Sequence, residues 1–230
     1  MINKIVPSVE AAVADIRDGA TIMLSGFGGA GMPSELIDAL IEQGAKDLTI
    51  VNNNAGNGET GLAALLKSRR VRKIVCSFPR QVDSYVFDAL YRAGELELEL
   101  VPQGNLAERI RAAGAGIGAF FTPTGYGTEL AAGKETRLIE GRWYVLEHPI
   151  HAEFALIKAQ RADRWGNLVY RKTARNFGPI MATAAKCTIA QVREIVDLGE
   201  LDPEAVVTPG IFVSRVVRVT PSAAPLQAVA

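Results

Sequence analysis

Cysteine, histidine and net charge are all scarce in this chain of 230 residues, and each scarcity removes a class of function. Cys76 and Cys187 are the two cysteines. They lie far apart and without metal-ligand spacing, so neither a zinc centre nor a disulfide framework is expected. The expectation is a reduced, cytoplasmic protein. No cluster of cysteines or carboxylates accompanies His148 and His151, and a structural role is expected for both rather than metal binding. The 25 basic residues balance 25 acidic ones and gather into no basic face, which argues against nucleic acid as the partner. No apolar run reaches membrane length, and Met1 to Pro7 lacks the apolar core of a signal peptide. No membrane association is expected either.

Apolar residues, in contrast, make up 48% of the chain, enough for a sizeable core. Helical and strand patterns alternate along the first half. A helix is expected over 9–16 with Ser8 as its cap, then a strand over 21–24 and a helix over 34–43 ending at Gly44. A strand over 47–51 follows, closed by Asn52-Asn53-Asn54. The alternation continues with a helix over 61–68, a strand over 71–77, a helix over 84–93, a strand over 96–101 and a helix over 106–113. After Gly125 the pattern changes. Strands over 136–139 and 142–146 flank Glu140-Gly141 as a hairpin. Strands are read over 154–159, 168–171, 187–192, 194–198 and 211–219, with a helix over 181–185. The expected fold is α/β: an open, mainly parallel sheet flanked by helices, with some antiparallel strands in the C-terminal half. Residues 1–219 read as one domain and 220–230 as a loose tail.

The densest signal is Ser25-Gly26-Phe27-Gly28-Gly29-Ala30-Gly31-Met32-Pro33, set between the first strand and the second helix. Glycines admit positive φ and leave backbone N–H groups open to a ligand. A helix start behind them adds unpaired donors and a positive dipole end, and Pro33 suits the first helical position. The pattern points to a phosphate-bearing ligand. Gly26, Gly28 and Gly31 also satisfy G-x-G-x-x-G. A dinucleotide site further needs an acidic residue at the end of the second strand, where this chain has asparagines; Asp47 stands at the wrong end. A simple turn that packs strand on helix would need fewer glycines.

Further candidates sit where the carboxyl ends of parallel strands place ligands. Gln103, with Gly104, follows the fourth strand in a loop. Its amide can donate to an oxygen that gains charge during acyl transfer, or it can simply bond its own turn. Asn53 and Asn54 could hold the same acyl group, or end the strand as a turn. Arg171, Lys172, Arg175 and Asn176 form a cationic cluster, read either as a solvated face or as an anchor for carboxylates or a partner chain.

These blocks carry a resemblance. Asp18 to Phe27, followed after three residues by Gly31-Met32-Pro33, resembles the coenzyme A-binding signature of family I (3-oxoacid) CoA-transferases, alpha-subunit type. The family pattern usually has glycine where this chain has Ser25; a small residue there still lets a ligand approach. Asn52 to Gly56, Ser77-Phe78, Val101 to Ala112, Phe121 to Thr128, Asp163 to Leu168, Arg171 to Phe177 and Thr208 to Val213 look like further family blocks, so the resemblance covers about residues 1–219. It implies CoA contacts at Ser25, Gly26, Phe27, Gly28, Gly29, Ala30 and Gly31. It also implies acyl contacts at Asn53, Asn54, Gln103 and Gly104. The substrates would be an acyl-CoA and a small carboxylic acid, with no metal and no separate cofactor. The nucleophilic glutamate would belong to a beta subunit, in a heterodimer or heterotetramer. The Ser-Glu-Asn-Gly-like block that carries it in the family is missing here; Asn57-Gly58-Glu59-Thr60-Gly61 is the nearest imitation. Within the family, acetate or acetoacetate is an alternative acid. Outside it stand a non-catalytic CoA- or phosphate-binding module and a sugar-phosphate isomerase. The isomerase needs a general base beside the turn, and Phe27 to Met32 offers none.

Overall fold

Alternation within each strand decides the architecture. The computed structural model describes residues 2–220; the expected tail beyond 220 lies outside the described residues. The first half runs α1 (Val9–Val13), β1 (Thr21–Leu24), α2 (Ser34–Gln43), β2 (Leu48–Val51), α3 (Leu62–Lys67), β3 (Val71–Cys76), α4 (Tyr85–Arg92), β4 (Glu97–Leu100) and α5 (Gln103–Gly114). The second half adds β5 (Phe120–Thr122), β6 (Thr136–Ile139), β7 (Arg142–Glu147), β8 (Ala152–Lys158), β9 (Arg161–Asp163), β10 (Leu168–Val169), α6 (Gly178–Ala184), β11 (Ala185–Val192), β12 (Glu194–Val196) and β13 (Arg215–Arg218).

Seven strands form one sheet in the order β13-β11-β8-β1-β2-β3-β4, and every neighbouring pair is parallel. Successive side chains therefore feed opposite faces. Ile22, Ile50, Ile74, Leu156 and Ile189 join the helices α1 to α4 in one apolar layer. Met23, Val51, Val75, Ala155 and Ala190 join α5 and α6 in the other. Such side chains contribute about 1.5–3 kcal/mol each when fully buried. Cys76 belongs to the first layer; burial pushes its thiol up to about 12, so it is an inert core residue. Cys187 is half-buried and unbridged.

Two small sheets stand apart. One is antiparallel, in the order β5-β7-β6; its expected hairpin turns through Glu140 and Gly141, both at positive φ as a two-residue turn requires. The other runs β10-β9-β12, with one antiparallel pair and one parallel.

Three boundaries differ from expectation. Pro33 stands one residue before α2 instead of opening it. Helix α5 starts at Gln103, directly after Pro102, so Gln103 and Gly104 form a helical first turn and not a loop. Packing of Leu106 and Ile110 against the sheet overrides the weak helix propensity of Gly104. The closing strand is only Arg215–Arg218; Gly210–Phe212 is a turn of 3-10 helix. A Cβ at Gly210 would stand 2.4 Å from the Trp165 carbonyl, and Asn167 Oδ1 accepts the Gly210 amide, so this segment packs against a loop and not along a strand.

Arg215 clamps the sheet edge to α1. Its guanidinium donates to both Asp15 carboxylate oxygens at 2.6 Å and to the Ala12 carbonyl at 2.7 Å. The bond from Arg215 holds the Asp15 carboxyl below its ordinary value of 3.8. A depressed carboxylate adds stability above its unfolded pKa and loses it as pH falls through the folded one. Asp15→Asn should therefore lower unfolding free energy by up to about 1 kcal/mol at neutral pH, the range for exposed pairs. The deficit should close in acid below the Asp15 pKa. Urea midpoints of both proteins at pH 7 and in acid would check it; an equal deficit at both would remove the ion pair as its cause.

Candidate active site

Because the large sheet is wholly parallel, the segments following β1, β2, β3, β4, β8 and β11 share one edge. The glycine loop follows β1. Ser25 is fully buried beneath it: its Oγ donates to the Gly31 carbonyl at 2.7 Å and accepts from the Lys158 amide at 3.1 Å. Phe27 and Ala30 exchange two backbone hydrogen bonds and raise Gly28 and Gly29 as a tip. Among the described residues, the amides of that tip have no backbone acceptor. Gly31, Met32 and Pro33 are buried, so a ligand meets the tip and not the start of α2. That helix start is also engaged: the buried Gln191 accepts the Leu36 amide at 3.1 Å and donates to the Glu35 carboxylate. The expected role of the helix terminus as an anion seat is thus largely taken by the protein itself.

The loop rests on the cationic segment. Asn176 Nδ2 donates to the Ala30 carbonyl at 2.8 Å and to the Thr173 carbonyl at 2.7 Å. A Cβ at Gly31, at φ +80°, would stand 2.8 Å from the Ala174 carbonyl oxygen. Asn176 is therefore a strut between two loops. Arg171, Lys172 and Arg175 are exposed.

The three asparagines divide their work. Asn52 Nδ2 donates to the Leu24 carbonyl at 2.7 Å, and its Oδ1 accepts the Asn54 amide at 2.9 Å. Asn53 Oδ1 accepts from Gln103 Nε2 and from Ser77 Oγ, both at 2.8 Å, which joins the ends of β2, β3 and β4. One N–H of the Gln103 amide is spent here; a second remains. Gly104 lies exposed beside it, with open space where a Cβ would be.

Asn54 is buried, and its Oδ1 accepts the Gly56 amide at 2.8 Å, yet its Nδ2 has no partner. An unmet buried donor costs about 1–3 kcal/mol. Asn54 lines a cavity of about 120 Å³ together with Gly28, Gly29, Asn57, Thr60 and Gln81. The orphan donor and the glycine tip thus share one polar hollow, with no carboxylate among its lining residues.

Glu59 stands outside it. Lys67 Nζ donates to Glu59 at 2.8 Å, and this bond holds the exposed carboxyl below the usual range. His148 and His151 are exposed, and His148 lends its carbonyl to Arg109 Nε at 2.7 Å. Sequence reasoning missed Asn52 and Ser77 as braces. It also missed Lys158 and Arg193, which end β8 and follow β11 and meet only because those strands pair.

The coenzyme A transferase family profile matches residues 6–219. The chain is 73% identical to the alpha subunit of 3-oxoadipate CoA-transferase from Pseudomonas putida, over 97% of each chain. It is 53% identical to the alpha subunit of succinyl-CoA:3-ketoacid coenzyme A transferase from Xanthomonas campestris pv. campestris, over 90% of this chain and 86% of that one. In fold it resembles an acyl-CoA transferase of Escherichia coli O157:H7 solved as a thioester complex with CoA, with a TM-score of 0.83 at 22% identity. That likeness covers 94% of this chain and 50% of the other, so the chain spans half the length of that enzyme.

Close approach and positive φ make Gly31 the loop's least replaceable residue. Gly31→Ala should cost about 2 kcal/mol or more, from left-handed strain plus the forced retreat of Ala174. Gly28→Ala, at φ +57° with nothing within 4 Å of the added Cβ, should cost about 1 kcal/mol from strain alone. Thermal unfolding of the two variants would show it; equal losses would remove the packing of the loop on Ala174 from the account.

Proposed function

Because this chain belongs to the coenzyme A transferase family, we propose that it is the alpha subunit of a heteromeric 3-oxoadipate CoA-transferase, which moves CoA from succinyl-CoA to 3-oxoadipate. The observation that carries the reading is the polar hollow: an unpartnered Asn54 amide and the Gly28–Gly29 tip face a cavity that no carboxylate lines. Such a site can hold and polarise an acyl group but cannot attack it. The high identity to the alpha chain of a 3-oxoadipate CoA-transferase supports the choice of acid.

A glutamate supplied by the partner chain attacks the thioester carbonyl. Charge gathers on the carbonyl oxygen, and N–H donors fixed in advance stabilise it. The CoA thiolate leaves and an acyl-glutamyl anhydride remains. The thiolate then attacks the glutamyl carbonyl, succinate departs, and a glutamyl-CoA thioester is left. The second acid takes the CoA by the same steps reversed, which divides one hard exchange into easier ones. On this chain Asn54, Gly28 and Gly29 are the donors nearest the hollow, and Asn53 holds Gln103 in place. Ser25 serves from below as the loop's brace.

Exposed apolar side chains crowd the same region: Phe27 is 51% exposed, Phe78 60% and Val82 96%. An apolar rim at a polar site suits cover by another protein, and the beta chain is the natural occupant. The relatives are themselves named as single subunits of larger enzymes, which agrees with this. We read residues 1–219 as one domain of a cytoplasmic enzyme, with neither nucleic acid nor membrane among its partners. No helix among the described residues is long and apolar enough to cross a membrane.

The purified chain alone should transfer no CoA between succinate and 3-oxoadipate, and addition of the glutamate-bearing partner should create the activity. Acyl-CoA followed by borohydride should label the partner. Transfer by this chain alone, or label at Glu59, would overturn the assignment. In the assembled enzyme Gln103→Ala should lower kcat by about 10²–10³-fold, the usual effect of one lost oxyanion donor, with a smaller change in KM. An unchanged kcat would return Gln103 to the role of strut for Asn53.

A further inference from the structure

A second hollow lies on the same edge, above β1, β8 and β11, and we propose that it seats the phosphate end of the CoA thioester; the proposal rests on the transferase reading above. Its volume is about 270 Å³, and Lys158, Arg171, Lys172 and Arg193 line it together with Ala30 and Gly31. No carboxylate lines it. Among the described residues none of these four cations forms an ion pair, whereas Lys73, Arg109, Lys134 and Arg215 all do. Like charges gathered around one cavity repel unless an anion joins them.

The wall is fixed in advance. Ser25 Oγ holds the Lys158 amide, Asn176 ties the cationic turn to Ala30, and Gly31 lets Ala174 approach. Lys172 is held at φ 49°, a conformation a lysine adopts only when its surroundings impose it.

Charge and distance choose the ligand. Four cations exceed what one carboxylate needs, and they match a group with several anionic oxygens. The acyl contacts lie above β2 to β4, and the cationic hollow above β1, β8 and β11. From β8 to β2 or β3 is two or three strand spacings, roughly 10–14 Å. A CoA arm has roughly thirteen bonds between sulfur and phosphorus and spans about 15 Å when extended, at the per-bond rise of an extended chain. A six-carbon diacid, with roughly five bonds along its carbon chain, reaches only about 6 Å on the same measure. With the thioester at the acyl contacts, the phosphates reach the cations and the far carboxylate of the acid does not.

The test uses the assembled two-chain enzyme with succinyl-CoA and with succinyl-pantetheine, which lacks every phosphate. The ratio of their kcat/KM values measures what the phosphate end contributes. In Arg171→Gln/Arg193→Gln that ratio should fall by about 10²-fold, on the order of tenfold per cation removed. The KM for 3-oxoadipate should not move. A ratio equal to that of the unsubstituted enzyme overturns the proposal. A raised KM for 3-oxoadipate with an unmoved ratio does so too, by giving the cations to the acid. Loss of assembly on sizing would give them to the partner chain instead, and overturns it likewise. The single change Lys172→Gln repeats the ratio measurement with less disturbance and is read the same way. Absence of transfer in the unsubstituted pair would strike at the transferase reading instead, so the two failures are distinct.

Discussion

One buried hydroxyl couples the two sides of the ligand edge. Ser25 Oγ gives its proton to the Gly31 carbonyl and receives the Lys158 amide. It closes the glycine loop on itself and fastens that loop to the end of the neighbouring strand. With no solvent at this depth, both bonds act in a low dielectric, where each is worth more than at the surface. The glycine tip, the Asn176 strut and the cationic turn all take their positions from a loop pinned in this way. A glycine at this position would supply neither bond. The serine that departs from the usual family pattern is therefore a structural brace, and ligand contact falls to the residues above it.

The parallel sheet does the remaining positioning. Asn53 alone connects three strand ends, through Ser77 and Gln103. The site is thus built from backbone-anchored amides rather than from long charged side chains on loops. Such groups move little when charge develops, which is the property that electrostatic stabilisation of an acyl intermediate needs. The unmet Asn54 amide is consistent with this design. Its burial without a partner is a local loss of stability that an incoming acceptor would recover.

Much of this was legible in the residues. β1 and α2 fall where their apolar periods and the flanking Gly44 place them, because local pattern and tertiary packing agree there. The hairpin at Glu140-Gly141 was legible for the same reason. Around Gln103 the two disagree: a glycine in the first turn of α5 hides the helix start, and only the packed face of Leu106 and Ile110 reveals it. Val213, Val216 and Val217 suggested one long strand, but the close approach of Gly210 to Trp165 bends its beginning away. Glycines announced a ligand loop without saying which of them touch ligand. Gly31 serves the fold and Gly28 leaves open space, a distinction that depends on Ala174, far along the chain.

The cationic hollow shows most sharply what a linear reading cannot reach. Arg171 and Lys172 are adjacent in sequence, and a local cluster is visible at once; it looks no different from a solvated face. Lys158 and Arg193 carry no local signal at all. They gain meaning from the pairing of β8 with β11, which brings the carboxyl ends of the two strands side by side. Once four unpaired cations surround a single cavity, their mutual repulsion sets a requirement that water meets poorly and an anion meets well. An uncharged hollow with fixed amide donors then lies at one end of the edge and a charged hollow at the other. This division matches a ligand that reacts at a neutral carbonyl and is anchored far from it by phosphates. Binding energy drawn from the distant end can hold the reacting end in line without strengthening the ground state at the carbonyl itself.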